Sequence, residues 1–161
     1  MIAAVGRAAL LLALAAAPAA APAQRLLHAG TYWAALERPG GKCEAVGRSE
    51  LVALPGRPQA RAAFAFSRDG QRRGQLHFLF ARPVAADASA VLTIGGASFL
   101  LVTRGISAWS SGPAQEQAII AAVRRNGEMR VRARGIGGRI SDRYLLAGAP
   151  TAIDAAALAC A

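Results

Sequence analysis

The sequence predicts a mainly β protein, an antiparallel β-sandwich or flattened barrel of about eight strands carrying two short α-helices. Three observations predict it. Short runs of β-branched and aromatic residues recur along the chain, with turn signals between them. Two of those signals, Asp69-Gly70 and Gly95-Gly96, stand between runs that read as hairpin partners. Helical spacing of apolar residues is confined to two segments near the C-terminal end.

The elements follow in chain order. Thr31 to Leu36 reads as a strand, stopped by Pro39-Gly40-Gly41, and Lys42 to Val46 is its partner. Leu54 to Arg61 holds two prolines and a glycine and reads as a loop. Ala62 to Phe66 is a strand with Phe64 and Phe66 on one face, and Leu76 to Phe80 returns after the Asp69-Gly70 turn. Val91 to Ile94 and Ser98 to Thr103 flank Gly95-Gly96, whose lack of Cβ allows the positive φ of a tight turn. Ile106 to Trp109 adds a short strand. Pro113 suits a helix start, and Ala118, Ile119, Ala122 and Val123 share a face of a helix over 114–125, which Asn126-Gly127 stops. Glu128 to Arg134 alternates strictly, with Met129, Val131 and Ala133 facing in and three arginines facing out. Ile140 to Leu146 is the last strand, and Thr151 caps a final helix with Ile153, Ala156, Ala157 and Cys160 on one side.

The N-terminal segment predicts export. Arg7 precedes an apolar run, Ala8 to Ala17, which Pro18 and Pro22 end; Ala21-Pro22-Ala23 fits a small-x-small cleavage rule. The run is short of the ~20 apolar residues that a transmembrane helix requires. The reading is a Sec-type signal peptide over 1–23, cleaved after Ala23, and one domain over 24–161 in the periplasm or outside the cell. An oxidising compartment favours a bond between the two cysteines, Cys43 and Cys160.

The formal net charge is +10, and Lys42 is the sole lysine. Such a surface attracts acidic polymers, anionic lipid headgroups or nucleic acid, and export argues against nucleic acid, which leaves an anionic lipid headgroup, a glycan or an envelope protein as the expected kind of partner. A compositional bias toward arginine and alanine is the competing account. The best functional candidate is the stripe Arg130, Arg132, Arg134, spaced about 7 Å apart on one strand face, with Arg124 and Arg125 ending the helix before it. Guanidinium groups bind phosphate and carboxylate bidentately. Asp142 and Tyr144 form a second candidate polar cluster. Catalysis finds little footing. His28 and His77 are the only histidines, and neither a G-x-S-x-G elbow nor an H-E-x-x-H motif occurs. The expectation is a protein with no catalytic residues, no metal and no cofactor. A small periplasmic enzyme with an unrecognised site and a purely structural envelope-stress factor are the alternatives.

The order of features resembles the invasion-associated locus B family of exported bacterial proteins. Trp33 precedes the cysteine-bearing strand at Lys42-Cys43, the hairpin VLTIGGASFLL carries Phe99 at the aromatic position, and Ala108-Trp109 precedes the helix. The ending SDRYLLAGAPTAIDAAALAC, with Asp142, Tyr144, Ile153, Asp154 and Cys160, is the most specific part. The resemblance implies an exported, non-enzymatic β-domain, and it specifies no partner.

Overall fold

A computed structural model describes residues 23–161. The signal-peptide reading of 1–23 lies, save for Ala23, outside the described residues. Ten antiparallel strands run in the order β1-β2-β3-β4-β5-β8-β7-β6-β9-β10. They are β1 (Arg25–Ala29), β2 (Trp33–Arg38), β3 (Lys42–Arg48), β4 (Arg61–Ser67), β5 (Arg73–Leu79), β6 (Ala90–Ile94), β7 (Ala97–Arg104), β8 (Ser107–Trp109), β9 (Glu128–Gly135) and β10 (Gly138–Leu145). Two helices, α1 (Pro113–Val123) and α2 (Ala149–Ala159), complete the domain.

The strand order folds over on itself at β7. Its first half, Ala97 to Leu101, pairs with β6, and Val102 to Arg104 pair with β8. One layer therefore holds β1 to β5 and β8, and the other holds β6, β9 and β10. The core lies between them. Phe64, Leu76, Phe78 and Phe80 come from the first layer, and Leu92, Ile94, Met129 and Val131 from the second; all are buried. Phe78 meets Tyr144 of β10 across the gap, with ring centroids 5.5 Å apart.

The mainly β class with two short helices is as the sequence predicts, and the differences are local. The strand count rises because Arg25–Ala29, to which the sequence reading assigns no element, forms β1. Arg-Leu-Leu-His-Ala pairs only with β2, as an edge strand with an irregular register, so its alternation is weak. Thr151 does not cap α2. The helix starts after Gly148, at φ 84°, and Pro150 occupies its first turn. Proline fits there because the first N–H groups of a helix lack internal partners.

The α1 segment begins at Pro113 as expected and ends at Val123, with Asn126 Nδ2 donating to the Ala122 carbonyl over 2.8 Å. Helix α2 packs on β2 and β3 with Ala152, Ile153 and Ala156 buried. Its end is covalently tied: Cys43 and Cys160 form a disulfide with Cα atoms 5.9 Å apart, across 117 residues of chain.

Candidate functional site: the arginine face of the second layer

Strict alternation places the β9 arginines outside. Met129, Val131 and Ala133 are buried, whereas Arg132 and Arg134 are exposed and Arg130 is half-buried. Register then sets their neighbours. Arg130 stands opposite Arg143 of β10, Arg132 opposite Ser141, and Arg134 opposite Arg139. On the other flank, Thr93 and Val91 of β6 face Arg130 and Arg132.

The face thus carries two cross-strand arginine pairs, and only one of them is compensated. Arg143 binds Glu128, and Glu50 at 3.0 Å; Arg130 lies 3.9 Å from Glu128. The Glu128 contact pushes the Arg143 pKa upward from its ordinary value. Arg134 and Arg139 have no ion-pair partner among the described residues, nor has Arg132. Like charges directly opposite each other on a ladder are destabilising. These three arginines line a surface cavity of about 710 Å³ together with Val91, Thr93 and the backbone of Gly135 and Gly138.

The sequence-derived set is therefore split. Arg132 and Arg134 share the cavity, and Arg130 reaches a smaller neighbouring one of about 210 Å³. Arg124 and Arg125 line neither. Arg124 instead pairs with Asp154 of α2 and ties the two helices together, which raises its pKa. Arg139 was missed, although the sequence held the signal. A two-residue turn at Ile136-Gly137 makes Arg134 and Arg139 register partners.

Asp142 and Tyr144 come together on the inner face of β10, as core residues. Asp142 is 6% exposed, and burial raises its pKa against a hydrogen bond from Ser49 and the charge of Arg82. Tyr144 is fully buried with no hydrogen-bond partner for its hydroxyl, and burial raises its pKa strongly. His77 sits on the outer face of the first layer. It stacks on Trp109 at 5.4 Å and shares a 3.2 Å hydrogen bond with the Ser107 hydroxyl. Burial, with help from the Arg61 charge, holds its pKa below the ordinary value. His77 and Asp142 thus occupy different faces of different layers. Among the described residues, no three or more His, Cys, Asp or Glu side chains group to hold a metal ion.

No family model, curated protein or solved structure matches the chain.

Proposed function

We propose that this chain is an exported, non-catalytic envelope protein of the invasion-associated locus B type, and that it binds an anionic envelope or host component through the outer face of its second layer. The observation that carries the reading is the facing pair Arg134 and Arg139, uncompensated beside Arg132 at the mouth of one cavity. Uncompensated guanidinium groups that line one cavity favour an anion that spans them, because each bidentate bond relieves repulsion as well as adding attraction. The compensated pair Arg130 and Arg143 on the same ladder is the internal contrast. Export is supported by the N-terminal pattern and by the Cys43–Cys160 bond, a chemistry that persists in oxidising compartments.

Salt-dependent retention on phosphocellulose tests the reading. The triple variant Arg132→Glu/Arg134→Glu/Arg139→Glu is expected to elute at much lower salt than the wild type. The charge-matched control Arg48→Glu/Arg57→Glu/Arg61→Glu, on exposed positions of the first layer and its loop, is expected to lose far less. Equal losses in both variants would reduce the binding to net charge and sink the proposed face.

A further inference from the structure

The tripeptide Arg-Gly-Ile occurs twice, at 104–106 and at 134–136. Both copies make a hairpin tip. The first joins β7 to β8, with Gly105 at φ 60° and Arg104 opposite Ser107. The second joins β9 to β10, with Gly137 at φ 74° and Arg134 opposite Arg139. Positive φ is the conformation a two-residue hairpin turn demands and glycine supplies.

The segment between β5 and β6 straps the two tips together. Phe80 N–H donates to the Ile106 carbonyl and Val84 N–H to the Gly105 carbonyl, each over 2.8 Å. Ile136 N–H donates to the Pro83 carbonyl over 2.9 Å. The tips therefore lie at one end of the sandwich and are held there by backbone bonds.

Each tip raises an isoleucine into solvent. Ile136 is 63% exposed and Ile106 36%. Ile136 in particular stands at the summit of a tight turn with most of its surface in water. Arginines stand beside the turns: Arg104 flanks the first, Arg134 and Arg139 flank the second, and Arg82 reaches the Gly137 carbonyl of the second at 3.4 Å. None of the four has an ion-pair partner among the described residues. Asp87, the single carboxylate of the strap, pairs with none of them.

We propose that this end of the molecule docks on an anionic lipid surface, with Ile106 and Ile136 entering the acyl boundary and the surrounding arginines binding headgroup phosphates. The proposal rests on the anion-binding reading above and narrows its partner to a lipid bilayer. Charge and polarity together select that partner. A soluble anion would use the arginines and leave two exposed isoleucines without a role. A neutral apolar partner would bury four uncompensated positive charges at a large cost. An anionic interface accepts both, since apolar area and basic side chains add in binding such a surface. No helix among the described residues is long and apolar enough to cross a membrane, so the contact is peripheral.

Flotation of the purified, oxidised protein with vesicles tests it. The vesicles are phosphatidylcholine alone, or phosphatidylcholine with one part in three phosphatidylglycerol. Wild type is expected on the anionic vesicles and not on the neutral ones. Ile106→Ser/Ile136→Ser should weaken binding by about tenfold, and Arg134→Glu/Arg139→Glu by about tenfold to a hundredfold. Ile136→Trp supplies a readout independent of affinity: its emission should shift to the blue on anionic vesicles alone. Binding undiminished in the serine or glutamate variants would overturn the proposal. So would complete release by soluble glycerol phosphate with no blue shift. Retention on phosphocellulose without vesicle binding would overturn the lipid surface and leave the anion-binding face standing. Loss of both would end both.

Discussion

The indole Nε1–H of Trp33 donates to the backbone carbonyl of Leu145 over 2.7 Å, and so joins the second strand of the sheet to its last. The two residues are 112 positions apart. Trp33 lies at the start of β2, fully within the core, and its ring covers Gly47, its register partner on β3. A second bond follows the same seam: Glu50 N–H donates to the Arg143 carbonyl over 2.9 Å. These contacts hold the arginine-bearing layer against the first layer.

Gly47 is glycine because of that ring. A Cβ there would stand 2.6 Å from Trp33 Cε2. Gly47→Ala is expected to cost about 1–3 kcal/mol by overpacking. In a Trp33→Leu background the same substitution should cost close to nothing, and a double-mutant cycle by urea denaturation reads the coupling. Additive costs would remove the ring as the reason for the glycine.

The Cys43–Cys160 bond closes 117 residues and ends on a helix whose buried side chains are mostly alanines. Reduction, or Cys43→Ser/Cys160→Ser, should cost about 2–4 kcal/mol, a fall in Tm of roughly 10 °C. Amide exchange in α2 should rise before exchange in β4 and β5. Uniform exchange across the domain would show that the bond acts on global stability alone.

The pairing, the strand alternation of 128–134 and the hairpin at Gly95-Gly96 were legible in the sequence. The strand and the hairpin rest on local chemistry, a period of two and a glycine pair; the disulfide, long-range as it is, rests on the chain's having only two cysteines. What was not legible is long-range. Nothing local marks β1, an irregular edge strand with adjacent leucines and no clean alternation, or the reach of Trp33 to Leu145. In the site, arginines on one strand could be read as a stripe, and Glu128, two residues from Arg130 on that strand, was a legible partner; Asp154, which engages Arg124, comes from another helix and was not.

Asp142 should make the protein less stable at neutral pH than in mild acid. Its folded pKa is raised by burial, so the folded state keeps its proton over a range where the unfolded chain has released it. Stability from this group therefore declines as pH rises from the ordinary value of 3.8 to the raised one, and is constant above. Asp142→Asn should raise Tm at pH ~7, with the advantage vanishing below the ordinary carboxylate range. A Tm advantage independent of pH would refute burial of the charge as its cause.

Tyr144 carries a buried hydroxyl with no partner. Tyr144→Phe removes a desolvated group and keeps the contact with Phe78. Stability should rise, by about 1 kcal/mol. A loss of stability would mean that the hydroxyl is satisfied in solution.

Arginine Nε–Hε resonances followed by NMR during titration with inorganic phosphate test whether three arginines of the second layer form an anion site. Saturable shifts are expected at Arg132, Arg134 and Arg139, with Arg143 and Arg124 held by their carboxylates and Arg48 and Arg61 unmoved. Shifts of equal size across all exposed arginines, or strongest on the first layer, would contradict it.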